Sequence, residues 1–185
     1  MRLLVAALNS ELVGFPLELP GFSRLVTGPG KLKAAVELTR ALERGEVDEI
    51  VVVGTAGQLD AGLAAGVHEI SAALQHDVTD LDGIVGQHVS LPSTVETGHP
   101  GVVIATGDRF IDDADAVVAI RELGAQLVDM ETFAYIWVAH EYAVPIRVFK
   151  AISDSAQDGA TQLWDETVAH CSAQLYTHLA GLYGA

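Results

Sequence analysis

The chain has 185 residues, half of them hydrophobic, which is enough for one globular domain with a sizeable core. It carries 25 acidic and 10 basic residues, so its net charge of -15 opposes nucleic acid and anionic lipid as partners. Its apolar runs are far shorter than the roughly 20 residues that span a bilayer, and a single cysteine excludes an internal disulfide. We therefore expect one domain, residues 1–185, in the cytoplasm, with no nucleic-acid or membrane partner.

Short, β-branched apolar runs predict the strands of a covered sheet. Their near-continuous apolarity indicates burial on both faces. The clearest runs are residues 3–8, 49–53, 102–106, 126–128 and 146–152. Residues 68–74 and 84–91 also have β-type patterns, with no helix between them, and they predict an antiparallel extension of the sheet. Residues 91–100 are rich in turn formers and predict a loop.

Helical patterns lie between the strand-like runs. Residues 31–44 form the clearest one, and Gly45 follows as a stop signal. Its predicted apolar stripe consists of Leu32, Ala35, Val36, Thr39 and Leu42. Residues 131–142 predict a more buried helix, and residues 161–182 predict a long C-terminal one. The alternation indicates an α/β fold with a central mixed sheet flanked by helices.

Polar residues directly after the apolar runs are the first candidates for a site, because ligands of open α/β sheets bind beyond the carboxyl ends of the strands. Three such places carry a carboxylate, at Glu11, Glu131 and Asp154. Taken alone, such carboxylates more often cap turns and helices. Residues 54–57 lack the glycine spacing of a dinucleotide site, and the seven histidines form no ligand pattern, so we expect no cofactor and no metal.

Six short motifs, in order along nearly the whole chain, resemble those of the nucleoside phosphorylase and nucleosidase superfamily. They are residues 7–11 (ALNSE), 28–31 (GPGK), 54–57 (GTAG), 106–111 (TGDRFI), 128–131 (VDME) and 150–154 (KAISD). They are most like the methylthioadenosine/S-adenosylhomocysteine nucleosidase branch. The resemblance implies a three-layer nucleoside phosphorylase-like fold, shortened here, and a homo-oligomer that is a dimer or larger.

The resemblance also implies hydrolysis of the N-glycosidic bond of a purine nucleoside. Asp154, held by Ser153, would protonate the departing purine at N7, and Glu11 would activate the attacking water. Glu131 would bind the ribose hydroxyls beside the developing cation. These three carboxylates form the predicted catalytic set.

A larger set of positions is expected to bind the substrate. Phe110 would stack on the purine, the main chain of Ile111 would bind its edge, and Trp164 would face an apolar 5′ substituent. The glycine-rich segment 54–57 would let the backbone approach the sugar closely. The predicted substrate-binding residues are Leu8, Thr55, Ala56, Gly57, Phe110, Ile111, Met130, Ser153 and Trp164.

Basic residues bear on whether water or phosphate attacks, since a phosphorylase must hold a phosphate anion. Residues 54–59 contain no Arg or Lys, which leaves Arg24, Lys31 and Arg109 as candidates. Arg109 lies within the motif at residues 106–111, which would bind the purine, rather than beside the expected phosphate site. Hydrolysis is therefore favoured over phosphorolysis. The alternatives are a phosphate-dependent nucleoside phosphorylase, a futalosine-type hydrolase, and a non-catalytic nucleoside-binding protein of the same fold.

Four departures from the family pattern leave the 5′ specificity and the assembly open. His68 and Glu69 replace the usual Gly-Asp pair, and a helical segment between His88 and Gly101 is missing. Asp129 is one methylene shorter than the Glu often found there. Gln58 replaces a small residue and is expected to narrow the pocket.

Overall fold

The computed structural model describes residues 1–154 and 164–184, with the side chains of residues 164–166 outside the described part. The strands are β1 (Arg2–Ala6), β2 (Phe22–Val26), β3 (Glu49–Gln58), β4 (Val67–Gln75), β5 (Thr94–Glu96), β6 (Val102–Thr106), β7 (Leu127–Asp129) and β8 (Ile146–Asp154). The helices are α1 (Lys31–Arg44), α2 (Ala114–Glu122), α3 (Thr132–Glu141) and α4 (Trp164–Tyr183), with a 3₁₀ helix at Asn9–Leu12. None of the described helices is long and apolar enough to cross a bilayer.

The strands form one mixed sheet in the order β2-β1-β3-β7-β6-β4-β5, and β8 pairs with both β3 and β4. Because β8 pairs with β4 as well as with β3, the strands β3, β8, β4, β6 and β7 form a closed ring. The long strand β3 makes this possible, because it pairs in parallel with β1 and β8 and then, at Gly57 and Gln58, antiparallel with β7. The strand therefore does not end at residue 53, and the glycine-rich segment 54–57 belongs to the sheet.

Alternating side chains of the sheet build two hydrophobic layers. In β1, Leu3 and Val5 face the layer that also contains α1 and α3, whereas Leu4 and Ala6 face the layer with α4. A third cluster packs α2 against β6 and β7. Helices on both faces of a mixed sheet confirm the predicted α/β class.

Helix α1 has the predicted bounds but buries a different face. Its core residues are Ala34, Leu38 and Leu42, spaced one turn apart, whereas Leu32 and Val36 are exposed. The predicted stripe was therefore wrong at Leu32 and Val36, whereas Leu42 is buried and Ala35 packs against the core. The buried face instead contains the small Ala34, and through this face the helix packs against α3.

The segment from residue 84 to residue 91 does not form the predicted strand. It makes one isolated bridge, between Thr79 and Val85, and its apolar side chains Ile84, Val85 and Val89 are exposed. Without a buried face, an apolar run gains little from joining a sheet. The antiparallel extension is formed instead by β4 with β8 and β5, and β5 lies within the predicted loop 91–100.

The remaining elements agree with the predictions or lie beyond them. Helix α3 matches the predicted helix 131–142, and α4 matches residues 164–182 of the predicted C-terminal helix, whose first three residues lie outside the described part. Strand β2 and helix α2 were not predicted. Ser23 and Arg24 interrupt the apolar pattern of β2, which has no fully buried residue.

Candidate active site

A cavity of about 130 Å³ lies at the carboxyl ends of β1, β3, β6, β7 and β8. All the predicted site residues whose side chains the structure describes line it, and the side chain of Trp164 lies outside the described part. The sequence also brings residues to this wall that were not predicted to bind substrate: Ala7, Pro29, Arg109, Val128 and Asp129. All five belong to the quoted motifs and could have been found there.

Glu11 lies in the 3₁₀ helix after β1 and is 3% exposed. The amides of Ala7 and Leu8 donate to its Oε2 at 3.1 and 3.0 Å. The Thr55 amide and hydroxyl donate to its Oε1 at 2.8 and 3.1 Å. A carboxylate offers about four lone-pair positions, so these donors fix Glu11 firmly. The Thr55 hydroxyl is the one rotatable donor of the four.

Lys150 was not among the predicted site residues, although a lysine within the apolar run of β8 was a visible signal. It is 2% exposed, and its Nζ lies 2.9 Å from Oδ2 of Asp129. Burial acts to lower the pKa of Lys150, but the charges of Asp129, Glu131 and Glu11 raise it above its usual value. The buried ammonium is therefore the shared counterion of three carboxylates.

Gly54 leaves space for the side chains of Glu11 and Lys150, which both approach it closely. A Cβ at this position would lie 2.9 Å from Oε1 of Glu11 and 3.0 Å from Nζ of Lys150. Any larger residue would push the carboxylate or the ammonium out of place, because both side chains are buried and have little room to adjust. The close approach, rather than a special backbone angle, explains the glycine.

Asp129 connects the end of β7 to the start of α3. Its Oδ1 accepts a hydrogen bond from the Thr106 hydroxyl at 2.7 Å, and its Oδ2 accepts one from the Thr132 amide at 3.0 Å. The carboxylate thus binds the first amide of α3 while it also pairs with Lys150. The shorter side chain at this position is accommodated by these contacts.

Glu131 directly precedes α3 and is 6% exposed. Its Oε1 accepts a hydrogen bond from the Gly30 amide at 2.8 Å. Burial, followed by the charge of Asp129, raises the pKa of Glu131 to about 7, although Lys150 and the Gly30 amide act in the opposite direction. The carboxyl group of Glu131 therefore gains or loses its proton near neutral pH.

We expect the Glu131→Gln variant to be more stable than the wild type at high pH. The unfolded carboxyl loses its proton above its usual pKa of 4.5, whereas the folded one keeps it up to about pH 7. Folding of the wild type therefore weakens as the pH rises through this window, by about 3 kcal/mol in total, and glutamine does not titrate. Urea unfolding at about pH 5 and about pH 8.5 measures the difference. A stability difference between the two proteins that does not change with pH would contradict the assignment.

Ser153 and Asp154 end strand β8. The pairing of β3 with β8 shifts by one residue between Ala56 and Gly57, which places Asp154 opposite Gly57. The Ser153 hydroxyl donates to Oδ2 of Asp154 at 2.6 Å, and both residues line the cavity. This bulge directs the carboxyl of Asp154 to the cavity wall.

The loop after β6 forms the other side of the cavity. Phe110 lines the cavity and is 41% exposed, so it is not a core residue, whereas Ile111 is buried. The Gly107 amide donates to the Asp129 carbonyl at 3.1 Å, which ties this loop to the carboxylate side. An exposed aromatic face beside a cavity is suited to stacking on a planar ring.

The basic residues considered for phosphate binding are engaged elsewhere or lie at the edge. The Arg24 guanidinium donates to the Pro16 carbonyl, and the Lys31 ammonium lies 2.5 Å from Asp77. Arg109 is the only basic residue among the described residues of the cavity wall; its side chain is 66% exposed and 3.4 Å from Asp113. Four carboxylates share that wall.

Two departures from the family pattern are resolved by local contacts. The Gln58 side chain donates to the carbonyls of Asp60 and Leu63 at 2.8 Å and does not line the cavity, so the expectation that it narrows the pocket was wrong. Glu69 makes a bidentate ion pair with Arg147 at 2.8 and 2.9 Å, across the antiparallel β4–β8 pair. Residues 88–101 contain β5 and no helix.

Comparisons with known proteins point in one direction. A family model described as the phosphorylase superfamily matches residues 23–182. The 5′-methylthioadenosine/S-adenosylhomocysteine nucleosidase of Bacillus licheniformis is 35% identical over 155 residues, covering 71% of this chain and 67% of the relative. The enzyme of that name from Bacillus anthracis is 31% identical over 165 residues, covering 77% and 71%.

Solved structures share the fold at lower sequence identity. Streptococcus pneumoniae MTA/SAH nucleosidase in complex with 8-aminoadenine has a TM-score of 0.87 at 23% identity, covering 100% of this chain and 99% of that one. The futalosine hydrolase of Helicobacter pylori has a TM-score of 0.87 at 20% identity, covering 99% and 97%. Both proteins have this chain's architecture.

Proposed function

Because the chain belongs to the phosphorylase superfamily, we propose that it hydrolyses the N-glycosidic bond of a purine nucleoside of the methylthioadenosine/S-adenosylhomocysteine type. The observation that carries the proposal is the meeting of Glu11, Glu131 and Asp154 on one cavity wall, with the aromatic face of Phe110 on the same cavity. Cleavage of this bond requires an acid for the base, a base for the water, and negative charge beside the sugar.

The proposed reaction breaks the bond between ribose C1′ and purine N9. The bonding electrons pass into the purine as Asp154 gives its proton to N7, and C1′ acquires oxocarbenium character. Water then attacks C1′ and transfers a proton to Glu11, so the products are the free base and the free sugar. Ser153 keeps the Asp154 carboxyl at the cavity wall through its 2.6 Å hydrogen bond.

Glu131 supports the sugar in this reaction. Only one of its oxygens is held by the Gly30 amide, which leaves the other for the ribose hydroxyls. Substrate hydroxyls that donate to Glu131, and the developing positive charge, both favour its ionised form. Met130, on the same wall, would pack against the sugar.

The charge balance of the cavity supports water over phosphate as the nucleophile. Glu11, Asp129, Glu131 and Asp154 line the wall, whereas Lys150 is already paired with Asp129. A phosphate dianion beside these carboxylates would be repelled, but a cationic transition state would be stabilised. The alternative of a phosphorylase requires Arg109 to leave Asp113 and reach the sugar side.

The proposal also covers the oligomeric state of the enzyme and its cellular compartment. Apolar side chains that lie exposed on α1 and on the segment after β4, among them Leu32, Leu81 and Val85, support a homo-oligomer. The reaction needs no cofactor, and we propose a single catalytic domain, residues 1–185, that acts in the cytoplasm. Trp164 is proposed to face the 5′ substituent.

A nucleoside panel tests the substrate. We expect release of free base to be fastest with methylthioadenosine and S-adenosylhomocysteine, and slower with adenosine and inosine, when products are separated by chromatography. Methylthioadenosine and adenosine form a matched pair because they differ only at the 5′ position. Faster release from adenosine would contradict the apolar 5′ pocket, and purine binding without release would identify a binding protein.

A further inference from the structure

Two consecutive amides at the start of α1 donate to carboxylates on opposite sides of the site. The Gly30 amide binds Oε1 of Glu131 at 2.8 Å, on the proposed ribose side. The Lys31 amide binds Oδ1 of Asp108 at 2.8 Å, at the start of the loop that carries Phe110. Gly30 has a φ of 96°, and a Cβ there would lie 3.1 Å from Oδ1 of Asp108. The left-handed backbone lets neighbouring amides bind two separate anions.

The side chains of Lys31 and Asp77 complete this connection. The Lys31 ammonium lies 2.5 Å from Oδ1 of Asp77 and donates to Oε1 of Gln75 at 2.9 Å. The other oxygen of Asp77 accepts a hydrogen bond from the Asp108 amide at 2.8 Å. Asp77 therefore binds both Lys31, the first residue of α1, and Asp108, at the start of the loop that carries Phe110. Both side chains are partly buried, which limits screening of the ion pair by solvent.

We propose that Lys31 and Asp77 are positioning residues. They hold the loop at residues 107–111, which would bind the base, in its position relative to Glu131 before the substrate arrives. This inference rests on the proposed function. Neither residue lines the cavity, so both act through Asp108 and Gly30. A loop that is already ordered costs less free energy when the ligand binds. Loss of the network therefore acts on binding of the base, whereas the catalytic carboxylates keep their own contacts.

The experiment compares Lys31→Met and Asp77→Ala with Arg40→Met, which removes an exposed ion pair with Glu37 on the same helix. KM and kcat are measured with methylthioadenosine, and the Kd of free adenine is measured by calorimetry. We expect KM and Kd to rise about tenfold in the first two variants with kcat within about twofold, because charge-assisted bonds that order the loop are lost. Arg40→Met should match the wild type, and Lys31→Arg should recover part of the loss.

Unchanged KM and Kd in Lys31→Met and Asp77→Ala would overturn the inference, and so would a fall in kcat at constant KM. If Asp77→Ala fails to fold, Asp77→Asn, which keeps the side-chain volume, takes its place. The adenine titration does not depend on turnover. If the wild type binds adenine but releases no base from nucleosides, the proposed function fails while the positioning network is still tested.

Discussion

The Asp154→Asn variant is expected to lower kcat by about 10³-fold, because a positioned general acid contributes roughly 10²- to 10⁴-fold to such reactions. Asparagine keeps the shape of the side chain and can still bond with the Ser153 hydroxyl, but it cannot give up a proton to N7. The expected loss therefore falls on the chemical step. Single-turnover kinetics with methylthioadenosine measure it, because they separate bond cleavage from product release.

Two further variants serve as comparisons for Asp154→Asn. Asp115→Asn removes an exposed carboxylate from the first turn of α2, and we expect it to retain wild-type turnover. Ser153→Ala removes one hydroxyl that donates to Asp154 and leaves the carboxyl in place, so the loss of turnover should be smaller, on the order of tenfold. Substantial turnover by Asp154→Asn, with an unchanged circular dichroism spectrum and thermal midpoint, would remove Asp154 from the role of acid.

The Lys150→Met variant is expected to lose about 3–5 kcal/mol of folding free energy, because it leaves buried carboxylates without their counterion. Asp129 loses its 2.9 Å partner, and Glu11 and Glu131 lose a neighbouring positive charge. Asp129 also accepts a hydrogen bond from the first amide of α3, so the start of this helix should loosen with it. Urea denaturation at neutral pH gives the free energy of unfolding.

A second substitution distinguishes charge from packing. In Lys150→Met/Asp129→Asn the carboxylate in direct contact with Lys150 also loses its charge and the volume is nearly kept, so we expect the double variant to be more stable than Lys150→Met alone. Lys33→Met, at an exposed position of α1, serves as the control for the loss of a lysine. A Lys150→Met protein within about 1 kcal/mol of the wild type would show that the buried pair is dispensable.

Much of the site could be predicted because its residues follow strand ends in contiguous motifs. Glu11, Glu131 and Asp154 each end or follow a strand, and parallel strands bring such positions to one edge of the sheet. The α/β class is confirmed by the structure, and the family resemblance is confirmed by the family model that matches residues 23–182. The roles of the individual residues remain predictions for the experiments above.

The features that were missed depend on tertiary packing. The buried face of α1 contains the small Ala34, and helical periodicity alone does not rank this residue above the larger Leu32. Lys150 belongs to the site because β8 pairs with β3 in a register that places it beside Gly54. The exposed run 84–91 has strand-like composition without a surface to pack on. Register and packing partners are long-range properties that a local pattern does not contain.

The most direct test of the central claim is the phosphate dependence of base release from methylthioadenosine. The purified protein is freed of phosphate, and adenine and the sugar product are identified with and without added phosphate. We expect adenine and free methylthioribose at the same rate in both conditions. Adenine release only with phosphate, together with a sugar 1-phosphate, would contradict hydrolysis and assign the negatively charged cavity a nucleophile that it is expected to repel.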